Sequence, residues 1–316
     1  MNQKGRKRRW FLLLPVLLAI ILVVVGLGWK NATLRKLART GPLIVFVSIL
    51  PQKYFVERVG GRRGKVAVLG GPGQNPVSFE PLPKQMAALA EADLFFRIGV
   101  PFETALIDRI QELNPGLNMV DTREGIPLRP IEGAHQHEAP ERRRNAQEPE
   151  SVERNEMMDP HIWLDPLLVK IQAETICRAL VALDPINQAF YEENLRLFQA
   201  ELDQLDRELA ATFRAAQVEK IMVYHPAWGY LTDRYDLEQI PIEVEGKEPG
   251  PQQLAQVIER AKQEGIRVIF VQSQFDTRTA ESVARAVDGK VLTLDPLAED
   301  YLTNLRQIAQ TIARGF

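Results

Sequence analysis

The sequence is short of the residues that usually announce chemistry. Among 316 residues there is one cysteine, Cys177, and there are four histidines. A single thiol excludes an internal disulfide. Its setting in "ETICRALVAL", a helical apolar pattern, reads as a buried, inert side chain. There is no H-E-x-x-H, no G-x-S-x-G and no P-loop, so hydrolytic and nucleotide chemistry lack a signature and the chain reads as a non-enzyme. Excess positive charge is also missing. Lys and Arg number 39 against 41 Asp and Glu. Six of the basic groups fall within the first thirty residues, which hold no acidic ones, so the remainder carries 33 against 41, a formal charge of −8. That argues against a nucleic-acid partner and suits a soluble extracytoplasmic protein.

Those first thirty residues stand apart. Lys4, Arg6, Lys7, Arg8 and Arg9 precede "FLLLPVLLAIILVVVGLG", eighteen residues without a charge. A basic flank before such a run is a secretory signal or a membrane anchor. The length approaches the roughly twenty residues that cross a bilayer. No Ala-x-Ala cleavage site follows. The reading is residues 1–30 as an uncleaved inner-membrane anchor, with a signal peptide as the alternative. In either case the rest of the chain is exported, because the positive flank stays inside.

From residue 43 onward, strand-like and helix-like segments alternate. "LIVFVSIL", "KVAVLG", "DLFFRIG" and "LNMVDT" read as strands separated by helical patterns. Residues 132–158 interrupt them with a charged, Pro-containing stretch poor in apolar residues, read as a surface loop. Asp165-Pro166 is an N-cap followed by proline at the first helical position, and Asp184-Pro185 reads as a repeat of that device. Then Tyr191, Leu195, Phe198, Leu202, Leu205, Leu209 and Phe213 fall at spacings of three and four, one apolar stripe over about seven helical turns. At 1.5 Å per residue that helix is roughly 45 Å long, enough to brace two lobes. "EKIMVYH", "EQIPIEV", "RVIFVQ" and "KVLTLDP" repeat the strand pattern afterwards. The expected fold is α/β, with two lobes, each a mainly parallel sheet flanked by helices, joined by one long rigid helix. The boundaries read as 42–184, 185–216 and 217–316.

Ligands of open α/β sheets bind beyond the carboxyl ends of the strands. His225 follows "KIMVY", Asp295 follows "KVLTL", and His161 lies in "MDPHIWLDP", just before the capped helix. Two imidazoles and a carboxylate would suit Zn²⁺ or Mn²⁺. Their spacings of 64 and 70 residues specify nothing alone, and each has a structural reading: a hydrogen-bonded loop residue, a cap at Pro226, an N-cap. Trp163 and Trp228 read as packing near the two histidines. Asp159 reads either as a turn residue or as the acceptor that orients His161.

"DPHIWLDP" resembles the signature of the metal-binding solute receptors of ABC importers, the zinc/manganese family called cluster A-I. "SILPQKYFVERVGG", "NPVSFEPLPKQMAALAEADLFFRIG", "HPAWGYLTDRYDLEQIPIE", "EGKEPGPQQL", "VIFVQSQF" and "VLTLDPLAEDYLTNL" extend the resemblance, in order, over residues 43–316. It implies two lobes joined by a rigid helix with metal in the cleft, and ligands at His161, His225 and Asp295. The family's remaining ligand is a histidine in a loop reading "NPHSFEP"; here the position is Val77. Valine cannot coordinate. Three readings stay open: three protein ligands and an open position, a substitute among Glu80, Glu243 and Glu245, or loss of tight binding in favour of an interaction or scaffold role in the envelope. His225, where manganese-type members carry glutamate, favours Zn²⁺ over Mn²⁺. His135 and His137 read either as a thin version of the metal-collecting loop of zinc-type members or as incidental histidines in a solvated linker. The function implied is capture of Zn²⁺ outside the inner membrane by a monomer that delivers it to an ABC permease and its ATPase.

Overall fold

The computed structural model describes residues 41–132, 158–244 and 246–316. The N-terminal anchor candidate, His135, His137 and Glu245 lie outside the described residues. Among those described, no helix is long and apolar enough to cross a membrane.

Two four-stranded parallel sheets form the framework. In the first, β1 (Leu43–Ile49) lies between β2 (Gly64–Gly70) and β3 (Leu94–Arg97), with β4 (Asn118–Asp121) outside β3. In the second, β5 (Lys220–Val223) lies between β6 (Glu238–Pro241) and β7 (Val268–Gln272), with β8 (Lys290–Leu294) outside β7. The strand orders, β2-β1-β3-β4 and β6-β5-β7-β8, are the same order used twice. Each places a topological switch point beside its first strand, where open α/β sheets hold their ligands.

The burial pattern explains why these segments are strands. β1 is buried at six of seven positions, as a strand covered on both faces must be. In β5 and β7, alternation sorts side chains between two cores. Ile221, Val223, Val268 and Phe270 join the large core, whereas Met222, Ile269 and Val271 join a smaller one on the opposite face. The large core is continuous through both lobes. It includes Phe46 and Phe95 of the first sheet, Trp163, and Trp228 and Tyr301 of the second lobe.

α1 (Leu50–Gly60) leaves β1 without a loop, and the buried Gln52 side chain accepts the Ser48 backbone N–H at 3.0 Å. α2 (Pro83–Ala90), α3 (Pro101–Thr104) and α4 (Ile107–Leu113) complete the first set of crossovers. α5 (Pro166–Leu183) starts as the sequence predicts: Asp165 accepts from the backbone N–H of Leu167 at 2.7 Å and of Leu168 at 3.4 Å. The Asp184-Pro185 pair behaves differently. Residues Pro185–Asn187 make one 3-10 turn, and the Asp184 carboxylate binds Asn187 Nδ2 and Tyr191 Oη instead of capping backbone N–H groups.

α6 (Gln188–Ala216) is the long helix. Its 29 residues give a length of roughly 44 Å. Tyr191, Phe198, Leu202, Leu205, Leu209 and Phe213 of the predicted stripe are buried, and Leu195 is partly so. Its polar face is pinned by both lobes. Asn194 donates to Val59 O of α1 at 3.0 Å and Arg58 pairs with Glu201. Towards the other end, Arg234 of α7 (Gly229–Tyr235) forks onto Asp206, and Arg306 of α10 (Tyr301–Ala313) meets Glu208. α8 (Pro251–Gln263) and α9 (Arg278–Ala286) cover the second sheet over the smaller core.

Candidate metal site

A cavity of about 1050 Å³ opens between the lobes, and Val77, His161 and His225 are among its walls. His225 sits where the switch-point rule places a ligand residue, two residues beyond the end of β5. Its backbone is clamped by the last residue of β7: Gln272 Nε2 donates to His225 O at 3.0 Å, and His225 N donates to Gln272 Oε1 at 3.4 Å. The Phe275 ring stacks on its imidazole at 4.9 Å. His161 comes from the first lobe. The residues after it, Ile162–Leu164, form a buried 3-10 turn, and Trp163 Nε1 donates to Pro296 O at 2.8 Å. That bond ties the His161 segment to the loop after β8, which carries Asp295.

The two imidazoles stand edge to face with ring centres 5.4 Å apart. Each is held in the same manner. Asp159 Oδ1 lies 2.6 Å from His161 Nδ1, and Glu243 Oε2 lies 2.6 Å from His225 Nδ1. A carboxylate at Nδ1 draws the ring proton there and leaves the lone pair on Nε2, the arrangement that orienting carboxylates give metal-binding histidines. Asp159 also accepts the His161 backbone N–H at 3.0 Å, so it is both the turn residue and the orienting acceptor. Burial pushes the His161 imidazole below its ordinary range. Asp159 pulls the other way, and neighbouring His225 adds to the lowering. That lowering favours the neutral ring, the form whose Nε2 lone pair a metal would need.

The other predicted residues are distributed less evenly. Asp295 is held at the cavity's margin: its Oδ1 accepts from Gln274 Nε2 at 2.8 Å and from Leu297 N at 3.0 Å. Among the described residues, no group of three or more His, Cys, Asp or Glu side chains is gathered closely enough to hold a metal ion. The structure thus brings the two histidines together and keeps Asp295 apart from them. Val77 is 55% exposed and shares the cavity wall with both histidines. Of the substitute ligands weighed from the sequence, Glu80 is exposed and is not part of that wall. Glu243 reaches the site as the partner of His225. Its arrival from the loop after β6, eighteen residues from His225, left no local signal of that pairing. Gln272 was legible in principle as a polar residue closing a strand. Trp163 and Trp228 are fully buried packing residues.

The first-lobe wall carries a second polar group. Arg97 and Arg123 share Asp121 at 2.8 and 2.7 Å. Burial alone would raise the Asp121 carboxyl; hydrogen bonds from Arg123 and the two guanidinium charges outweigh it and hold it low. Glu103 is buried, and burial pushes its carboxyl up although it accepts from Ile98 N and Gly99 N at 2.8 and 2.7 Å.

Known proteins share this fold over most of the chain. A family model described as "ZnuA: Zinc-uptake complex component A periplasmic" matches residues 45–315. The high-affinity zinc uptake system protein ZnuA of Bacillus subtilis is 28% identical over 285 residues, 89% of this chain and 87% of that protein. A crystal structure of ZnuA superimposes with a TM-score of 0.76 at 39% identity, covering 86% of this chain and 98% of that one. A ZnuA deletion mutant with zinc bound gives the same TM-score and identity over 86% of this chain and 97% of its own.

Proposed function

We propose, from the premise that this chain belongs to the zinc-uptake complex component A family, that it is an extracytoplasmic receptor that captures Zn²⁺ in the interlobe cavity and hands it to an ABC permease with its ATPase. The observation that carries this reading is the histidine pair: two imidazoles on one cavity, 5.4 Å apart, each fixed through Nδ1 by its own carboxylate. Neutral imidazole suits Zn²⁺ better than Mn²⁺, which prefers harder oxygen ligands.

His161 and His225 supply the nitrogen ligands, and Asp295 supplies the oxygen once its loop shifts towards them. Val77 adds no ligand, so water completes a tetrahedral ion. The continuous core and the pinned α6 leave little room for lobe closure, so loading and release run through short movements of the loops that bear the ligands. The protein has no catalytic role in this reading: the open position serves transfer. Residues 1–30 hold the receptor at the inner membrane.

Zinc titration of the metal-stripped protein against a competing chelator tests this, with His161→Ala, Asp295→Ala and Val77→His beside it. One-to-one binding, lost in both alanine variants and tightened at least tenfold in Val77→His, is the expected result. Weak binding indifferent to all three changes would leave the rival reading, a receptor fold used as an envelope interaction protein.

A further inference from the structure

His161 is aimed by Asp159, and Asp159 is itself part of a junction between the lobes. Arg129 follows β4 in the first lobe, and its carbonyl accepts the Asp159 backbone N–H at 2.9 Å. Its own backbone N–H donates to Tyr230 Oη of α7 at 3.1 Å, and that hydroxyl donates to Asp159 O at 3.0 Å. The guanidinium is held on both sides. Nη2 pairs with Glu132, which also takes a bond from Gln239 Nε2 of β6 at 2.9 Å, and Nε lies 3.2 Å from Asp233 of α7.

Two polar atoms in this junction remain unsatisfied among the described residues. Arg129 Nη1 and Asp159 Oδ2 are both buried and neither has a hydrogen-bond partner. They face the same small space. A Cβ added at Gly229 would lie 1.5 Å from Arg129 Nη1 and 3.0 Å from Asp159 Oδ2. Gly229, the first residue of α7, leaves open the space that both atoms face. A buried carboxylate and a buried guanidinium without hydrogen-bond partners are each costly, and the opposite charge across this small space offsets part of that cost. Asp159 is among the negative charges that offset the burial of Arg129.

We infer that Arg129 is a positioning residue for zinc binding: anchored across the lobe boundary by Glu132 and Asp233, it fixes the Asp159 carboxylate whose other oxygen aims His161 at the metal. The inference rests on the zinc reading above. It makes the direction of His161 depend on where α7 sits, and so couples a ligand in the first lobe to the placement of the second. A guanidinium is needed, because its fork holds Glu132 through Nη2 and Asp233 through Nε while Nη1 still faces Asp159.

The experiment uses the full-length, metal-stripped protein, with Arg129→Gln, Arg129→Lys and Gly229→Ala compared with wild type. Zn²⁺ affinity is measured by chelator competition, the visible spectrum is recorded with Co²⁺ at saturation, and thermal unfolding is followed without metal. Arg129→Gln is expected to weaken Zn²⁺ binding by roughly 10- to 100-fold, the range for loss of an outer-shell partner, and to alter the Co²⁺ bands. Arg129→Lys recovers part of the loss. Gly229→Ala should reproduce it with Arg129 still present, although alanine is the better helix former. An Arg129→Gln protein that binds within twofold of wild type overturns the inference and leaves the zinc reading intact. Lost affinity that only parallels lost thermal stability, with the saturated Co²⁺ spectrum unchanged, also overturns it, because the role is then structural. Wild-type protein that binds no Zn²⁺ overturns both readings together.

Discussion

Glu243→Gln should weaken zinc binding without removing any atom that touches the metal. The Glu243 carboxylate lies 2.6 Å from His225 Nδ1 and is itself almost fully buried. An amide keeps the shape but accepts the ring proton without charge, so the imidazole becomes a poorer donor at Nε2. A loss of about 10-fold is expected, at the low end for such partners, measured by chelator competition against wild type. If Glu243 were a ligand in its own right, the loss would match that of His225→Ala. The histidines themselves were legible in the sequence for local reasons: His225 closes a strand and His161 sits between two Asp-Pro pairs. Their orienting partners were unequally legible. Asp159 is two residues from His161, close enough in sequence to suggest that role, whereas Glu243 is brought to His225 by the pairing of β5 with β6, which no local pattern encodes. The Arg129 junction was hidden for the same reason, since its partners lie across the lobe boundary.

At the scale of elements, periodicity predicted more than capping did. Among the described residues, the central strands β1, β3, β5 and β7 were marked by apolar runs, because a parallel strand buried on both faces has little room for polar residues, whereas the edge strands β2, β4, β6 and β8 are more exposed and more mixed. The α6 stripe was legible because spacings of three and four over seven turns fit no other structure. The Asp184-Pro185 pair failed as a copy of Asp165-Pro166 because its carboxylate is taken by Asn187 and Tyr191. These assignments separate energetically. Leu205 is fully buried in the middle of α6, within the core shared by the lobes. Leu205→Ala should destabilise the protein by about 2–5 kcal/mol, the usual cost of such a cavity. Asp165→Ala removes two N-terminal hydrogen bonds of α5 and should cost about 1 kcal/mol. Chemical denaturation of both variants checks the ranking, and a smaller effect for Leu205→Ala would contradict its central place in the brace.

For the whole molecule, the continuous core sets how the lobes respond together. Trp163, Trp228, Phe55 and Tyr301 are fully buried in one cluster, and Phe55 and Tyr301 meet edge to face at 4.8 Å. Neither lobe can lose its packing without exposing that surface, so thermal unfolding should be a single transition, raised by zinc as expected for any ligand bound only by the folded state. The dependence on acid then has a definite direction. The His161 imidazole in the folded protein titrates below its ordinary value of 6.5, chiefly because it is buried. The unfolded chain therefore takes up that proton first, and stability falls as pH drops from about 6.5 through the lower folded value. Above 6.5 both states are neutral at this site and the contribution is constant. Zinc binding should weaken over the same acidic window, because a protonated ring has no lone pair to give. Apo-protein stability measured from pH 8 to pH 5, for wild type and His161→Asn, isolates the effect. The acidic fall should be shallower in the variant; equal slopes would mean that His161 is no harder to protonate in the folded protein than in the unfolded chain.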